Sequence, residues 1–447
     1  MDEAIPFASV APLGNAPPCS VCGVLPPEGQ SFDAVGGDSR TICTLCQSSR
    51  KERQLLWMMS LVAACLVFEL VRCARQPNDH WLFINLVLVG LLTPLCVALH
   101  ELGHVLGAWL VGCQIFAIRL GRGSRLMHFE ARGIEVRIGV LPIGGAVTVA
   151  PRSRRWLRPR MALMVFTAPV VNLALIALGI WMIAPADHSL LQPWWSGFAP
   201  WHALIYANVV IALASLLPTP RLSTTQGPSD GNLIIHYLFG PRQRLEARCS
   251  DRILMEADRL QSHHRFDEAS ALLEKALHDS PDPDAQARLT LQLAVVRLGE
   301  RRHLEGIDLL LKVLDAIKPQ PANRVFRGTT LNNLAWGHLM IGDAAHLAEA
   351  DRRSSAAYAM LPDHAGARST RGSVLVEKGE IDQGIALLRS AMNAAERDQS
   401  KACCASFLAI GERRLGHVDA AERMLAEARR LDCKCEVLPR AERVFSS

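Results

Sequence analysis

Apolar residues gather into long blocks before residue 240, and a mixed, charged pattern follows. A membrane span needs about 20 mostly apolar residues. Four stretches meet that need: 54–71, 81–111, 161–184 and 198–217. The second is too long for one helix upright in a bilayer, so it tilts, breaks or runs beyond the hydrocarbon. It is apolar throughout except at His100, Glu101 and His104. From about Glu246 the pattern becomes helical and repeats. The blocks Arg265-Phe266-Asp267-Glu268-Ala269, His303-Leu304-Glu305-Gly306, Glu380-Ile381-Asp382-Gln383-Gly384 and His417-Val418-Asp419-Ala420-Ala421 echo one another. Gly299, Gly342, Gly379 and Gly416 precede them, and Pro281, Pro319 and Pro362 fall near repeat ends. Helical-hairpin repeats have this signature, and about five units of tetratricopeptide type are expected. Such an α-solenoid buries each hairpin only against its neighbours and offers a surface for a peptide or protein partner.

Charge sets the expected orientation. Arg50, Lys51 and Arg53 precede the first apolar stretch, and ten arginines from Arg119 to Arg160 separate the second from the third. No Lys or Arg occurs from 161 to 220. By the positive-inside rule both termini and the Arg-rich segment face the cytoplasm, while Trp194 and Trp195 mark the far interface. The first fifty residues are polar, rich in Pro and Gly, and lack the apolar core of a secretory signal. Of the 447 residues, 50% are hydrophobic and 20% charged, which excludes disorder, collagen and a small disulfide scaffold. A net charge of +5 gives no case for a nucleic-acid partner.

The thirteen cysteines are an odd count in a reducing compartment, so a disulfide framework is not expected. Four of them form two pairs, Cys19 with Cys22 and Cys43 with Cys46. Two such pairs supply four thiolates to one tetrahedral ion, so residues 1–50 are expected to form a zinc-ribbon-like module with a structural zinc. Too small for a core of its own, the module takes its folding energy from the metal. Cys65, Cys73, Cys96 and Cys113 are expected to be apolar packing residues, and Cys433 and Cys435 to lie on a helix surface.

His100-Glu101-Leu102-Gly103-His104 is an HExxH pattern. On a helix, i and i+4 share a face, so both imidazoles reach one ion and the intervening Glu stands beside it to take a proton from water. Ionisable groups inside an apolar run are expensive, and they usually line a cavity, pair or bind something. A catalytic zinc needs a third protein ligand. The acidic candidate is Asp230, in Gly227-Pro228-Ser229-Asp230-Gly231, after the helix-breaking Leu216-Leu217-Pro218-Thr219-Pro220. Ser-Asp-Gly is equally a common surface turn, and both readings stand on residues alone.

Taken in order, these residues resemble the site-2 protease family of intramembrane zinc metalloproteases. Besides the HExxH in a span, Arg119-Leu120-Gly121-Arg122-Gly123 and Leu141-Pro142-Ile143-Gly144-Gly145 look like that family's cytoplasmic hairpin. Ala168-Pro169-Val170-Val171-Asn172 looks like its small-Pro-x-x-Asn helix, and Leu216-Leu217-Pro218 with Asp230-Gly231 like its Asn-x-x-Pro…Asp-Gly motif. The resemblance implies that His100, His104 and Asp230 bind zinc and that Glu101 is the general base. It also implies that Asn172 steadies substrate or oxyanion, with helix packing as the alternative role. The hairpin, through Val136, Ile138 and Val140, either offers an edge to an extended substrate or packs on the membrane surface. The implied substrate is a membrane-anchored protein, cut in or near its transmembrane segment, with the repeats recruiting or gating it.

Two features depart from the family pattern: Ser215 stands at the usual Asn position, with Asn208 one helical face earlier, and residues 221–229 lengthen the connection to Asp230. They motivate the alternative of an inactive, membrane-anchored tetratricopeptide adaptor. The expected fold is mostly α: a zinc-ribbon-like module over 1–50, a polytopic helical bundle of about four spans with a small β-hairpin over 51–244, and an α-solenoid over 245–447. The expected setting is the lipid bilayer of a bacterial inner membrane.

Overall fold

The computed structural model describes residues 19, 20, 24, 26, 43, 81–184, 197–218, 228–280 and 282–446. The chain divides into two compact units, residues 52–255 on one hand and 256–447 with 1–51 on the other.

The first unit contains α1 (Trp81–Leu110), β1 (Cys113–Ala131), β2 (Ile134–Pro151), α2 (Leu157–Ile183), α3 (Pro200–Leu216) and α4 (Asp230–Phe239). The second apolar stretch does not break: α1 is one continuous helix of 30 residues despite Pro94 within it. Two helices, over 83–110 and 157–183, are long and apolar enough to cross a membrane. The stretch at 198–217 forms α3, whose 17 residues rise only about 26 Å, short of a hydrocarbon core of about 30 Å. The stretch at 54–71 lies outside the described residues. Only 22% and 33% of the most apolar windows of α1 and α2 are buried among the described residues. Leu91, Trp109, Trp181 and Val210 all point outward.

Small residues bring α1 and α2 together. A Cβ on Gly103 would stand 2.7 Å from the Ala168 Cα, and one on Gly107 2.6 Å from the Met164 carbonyl. Glycines four apart on one face let two backbones approach closely. Two of the arginines that set the charge asymmetry also finish helices. Arg160 donates from Nε to the Val111 carbonyl at 2.9 Å, and Arg158 from Nη2 to the Gly240 carbonyl at 2.8 Å. Carbonyls at helix C-termini lack intrahelical donors, and a guanidinium satisfies them.

β1 and β2 join through a two-residue turn at Arg132 and Gly133, both with positive φ, the primed geometry that suits a twisted antiparallel ribbon. Ala117–Leu120 is registered with Gly145–Thr148 on one side and Glu135–Ile138 on the other. Val136 therefore faces both Ile118 and Phe129, and Ile138 both Leu120 and Met127. These two residues, expected as an edge, are central. The edges are instead residues 127–131 and 145–151, each with a single registered partner strand among the described residues.

Ten helices follow in α5 (Arg242–Ser262), α6 (Phe266–Asp279), α7 (Pro283–Gly299), α8 (His303–Ala316), α9 (Arg324–Ile341), α10 (Ala344–Met360), α11 (Ala365–Lys378), α12 (Ile381–Ala394), α13 (Asp398–Arg414) and α14 (Val418–Leu431), with α15 (Leu438–Ser446) packed on α13 and α14. The division between the units falls within α5. From α7 to α14 each helix packs on its sequence neighbours, so the second unit is a tetratricopeptide-like solenoid. Leu310, Leu334, Leu339, Leu388 and Leu408 are fully buried along it, each stabilising the array by about 1.5–3 kcal/mol. Gly342, Gly379 and Gly416 hold the left-handed turn between paired helices, whereas Gly299 ends α7 and Arg301 takes the positive φ there. Cys435 is not on a helix surface: it is buried in the turn before α15, 3.4 Å from the Cys403 sulfur.

Candidate metal centre

The HExxH lies in the C-terminal half of α1, where helical spacing puts His100 and His104 on one face. Their rings lie 5.1 Å apart between centroids, nearly perpendicular at 83°. Opposite them stands Asp230, the first residue of α4. Its Oδ2 is 3.1 Å from His100 Nε2 and its Oδ1 is 3.3 Å from His104 Nε2. Donor atoms of all three residues lie within 4.8 Å of one another. Zinc bonds of 2.0–2.2 Å in a tetrahedron separate adjacent donors by about 3.3 Å, so two imidazoles and one carboxylate already stand at the spacing one ion requires. Glu101 is 5% exposed, and its buried Oε2 has no hydrogen-bond partner among the described residues. An unpaired buried carboxylate oxygen is costly, and here it adjoins the three donors.

Asp230 reaches the centre because α3 and α4 are fastened together. Ser229 caps α4 by accepting from the Asn232 amide at 3.3 Å, and its hydroxyl donates to the Leu217 carbonyl at 2.7 Å. Gly231 lies against the end of α3, where a Cβ would stand 1.9 Å from the Leu216 carbonyl oxygen. Residues 219–227 lie outside the described residues, yet the ends they join are tied to each other, and the long connection leaves Asp230 beside both histidines.

A line of amides runs back from the centre. His100 Nδ1 is 2.6 Å from Asn172 Oδ1, Asn172 Nδ2 is 2.8 Å from Asn208 Oδ1, and Asn208 Nδ2 is 2.8 Å from the Leu204 carbonyl. An amide oxygen only accepts, so His100 donates through Nδ1 and keeps the Nε2 lone pair for the centre. Asn172 and Asn208 are both fully buried. The two ends of the Asn172 amide are thus engaged with protein groups, His100 at the oxygen and Asn208 at the nitrogen. The hydroxyl of Ser215 turns back to the Ala212 carbonyl at 3.2 Å, away from this line. Asn208→Ala is expected to weaken metal binding at His100, His104 and Asp230 by about 10–100-fold, as measured by chelator competition; unchanged affinity would detach Asn208 from the centre.

The edge strand passes directly over Glu101. A Cβ on Gly145 would stand 2.5 Å from Glu101 Cγ, so only glycine lets β2 lie on the carboxylate. Cys19 and Cys43 are buried in the other unit; Cys22 and Cys46 lie outside the described residues.

Residues 87–189 match the profile of peptidase family M50. The chain carries a peptidase family M50 domain. The match covers α1, the β-ribbon and α2. Two chlamydial proteins named "Putative zinc metalloprotease" are similar over 71 residues, at 35% identity in Chlamydia trachomatis serovar D and 37% in Chlamydia pneumoniae. Each alignment takes in 16% of this chain, and the chain spans 12% and 11% of those relatives' length. Among solved structures, a thermophilic TPR protein of Thermus thermophilus is 20% identical over 44% of this chain and 100% of its own, with a TM-score of 0.33. BtubC of P. vanneervenii is 16% identical over 43% and 82%, also with a TM-score of 0.33.

Two residues of consequence were not legible as functional in the sequence. Asn208 had only its helical phase, seven positions before Ser215. Gly145 was one of a pair of glycines with no marked partner.

Proposed function

We propose that the chain is a membrane-embedded zinc endopeptidase that hydrolyses a peptide bond in or near the transmembrane segment of a membrane-anchored protein. The observation that carries this reading is the convergence of His100, His104 and Asp230 on one point, with the Glu101 carboxylate beside it, on an apolar helix. The donor set of two imidazoles and one carboxylate suits zinc, which when bound polarises the scissile carbonyl and acidifies water. Glu101 accepts the proton of the attacking water at Oε2 and returns it to the leaving amine. Asn172, held by Asn208, fixes the tautomer and ring angle of His100. The edge at residues 145–151, lying on Glu101 at Gly145, receives an extended segment of substrate by main-chain pairing, since a hydrogen-bonded helix hides its carbonyls.

The exposed apolar faces of α1 and α2 support a lipid setting, and the stretch at 54–71 together with the short α3, matched by a locally thinned bilayer, completes a four-span core with both termini in the cytoplasm. The chlamydial relatives favour a bacterial inner membrane. The repeats recruit or gate the substrate through a peptide or protein contact. Cys19, Cys22, Cys43 and Cys46 hold a second, structural zinc. An inactive adaptor is the weaker reading, because Asn208 supplies an amide where Ser215 does not and the long connection leaves Asp230 in place.

Co-expression with tagged membrane-anchored proteins tests the proposal. Cleavage of at least one should stop when the membranes are treated with a zinc chelator and return on adding zinc back. Cleavage indifferent to chelation would exclude a metal-dependent activity.

A further inference from the structure

The last turns of the repeat unit bring two thiols together. Cys403 lies on α13 and Cys435 in the turn before α15, and their sulfurs are 3.4 Å apart. A disulfide bond is about 2.05 Å long, so closing the pair takes about 1.4 Å of movement. Cys435 sits outside any helix, where side-chain rotation and a small backbone shift supply that movement. The two thiols also differ in character. The hydrogen bond that Cys435 accepts from Cys403, with a second from the Val437 amide, draws the Cys435 thiol below its usual range. Donating that bond, together with burial, pushes the Cys403 thiol up. One sulfur is thus the better nucleophile, and its neighbour holds the proton. Cys404, next along α13, is engaged elsewhere: its sulfur is 3.2 Å from the Ser369 hydroxyl, and burial pushes its thiol up to about 11.

A bond between these sulfurs would hold α15. That helix has 9 residues, too few to be stable in isolation. Packing keeps it in place: Val437, Leu438 and Ala441 are buried in one core with Phe407 and Leu408 of α13. Beside them Trp336 donates to the Glu436 carboxylate at 2.8 Å. A terminal helix of this kind covers the last apolar face of a solenoid. Chain ends open more readily than the middle of a fold, so α15 is where an added cross-link changes local opening most.

We propose that Cys403 and Cys435 are an oxidation site, joined by hydrogen peroxide into a reversible disulfide that locks α15 onto α13. The half-buried Cys403 gives so small an oxidant a way in. The Cys435 sulfur attacks one peroxide oxygen and the O–O bond breaks. Cys435 becomes a sulfenic acid, and the departing hydroxide takes up its thiol proton as water. The Cys403 sulfur then attacks the Cys435 sulfur, the S–O bond breaks, and a second water leaves with the Cys403 proton. Each thiol gives up one hydrogen, the two sulfurs are oxidised, and one peroxide is reduced to two waters. An external dithiol reverses the bond by exchange. In a reducing compartment such a disulfide is transient and signals oxidant rather than building the fold.

The test uses the full-length wild-type chain in detergent, treated with hydrogen peroxide and then with a thiol-blocking reagent. Peptide mapping should find Cys403 joined to Cys435, with the bond opened by a dithiol reductant. Replacing the exposed Cys433 by Ser should leave that bond intact. Hydrogen exchange at residues 438–446 should slow about tenfold or more in the oxidised chain and recover on reduction. Cys435 joined to Cys404 or Cys433 instead overturns the proposal. So does recovery of Cys403 and Cys435 as free thiols or as sulfinic acids. Exchange at 438–446 that is equal in the joined and reduced chains overturns the lock.

Discussion

Glu101→Gln is expected to lower cleavage by about 10²–10⁴-fold, the range over which a positioned general base acts, while the zinc at the neighbouring histidines stays bound. Glutamine keeps the length and one acceptor oxygen of the side chain but cannot take a proton at the pH of the cell. The unpartnered, buried Oε2 of Glu101 is the specific reason to expect so large an effect: nothing else among the described residues stands beside the donor cluster with a free basic oxygen. Rates are to be read as turnover of a membrane-anchored substrate, beside zinc content in the same preparation. Turnover equal to wild type would remove Glu101 from the chemistry. Loss of both turnover and zinc would instead make it a structural support of the centre.

Asp230→Ala is expected to have an effect of similar size by a different route. It removes one of the three donors that lie within 4.8 Å of each other, and it leaves the two imidazoles facing an apolar gap. With Cys19, Cys22, Cys43 and Cys46 replaced by Ser to silence the other zinc, the chain should fall from one zinc per molecule to none, and cleavage should fall with it. Gly231→Val is the complementary change. Its side chain meets the Leu216 carbonyl and pushes the start of α4 away from α1 without altering any donor. Retention of full zinc in both variants would place the metal elsewhere.

The centre was partly legible before the structure because its chemistry is local. His100 and His104 sit one helical turn apart, so a sequence pattern alone predicts their shared face. Asp230 is 126 positions beyond His104 in a different helix, and its own neighbourhood reads equally as a surface turn. Its approach depends on the Ser229 hydroxyl, the Leu217 carbonyl and the bare Cα of Gly231, which are contacts between segments and carry no spacing signature. The family pattern marks Asn172, whereas only packing between α1, α2 and α3 reveals that both ends of its amide are engaged. The same limit applies to the β-ribbon. Alternation at Val136 and Ile138 is what any half-buried strand shows, and it does not distinguish a central strand from an edge.

The solenoid was legible for the opposite reason. A repeat whose contacts are mostly with its neighbours writes its fold into local periodicity, so the hairpins from α5 to α14 follow the echoes in the sequence. The exceptions are the positions where repeats meet something that is not a repeat. Cys435 is buried by α13 against Cys403, and Arg368 lies against the Cys43 sulfur; neither neighbour is encoded in the repeat period. The apolar stretches at 81–111 and 161–184 were equally plain from composition, while α3 fell short because Pro200 begins it and Pro218 follows its end.

X-ray absorption at the zinc edge, on the full-length chain with Cys19, Cys22, Cys43 and Cys46 changed to Ser, probes the centre most directly. The expected spectrum contains two imidazole nitrogens and carboxylate or water oxygens at about 2.0–2.2 Å, with no sulfur. A spectrum dominated by zinc–sulfur distances of about 2.3 Å, or a protein that holds no zinc at all, would contradict a single ion gripped by His100, His104 and Asp230.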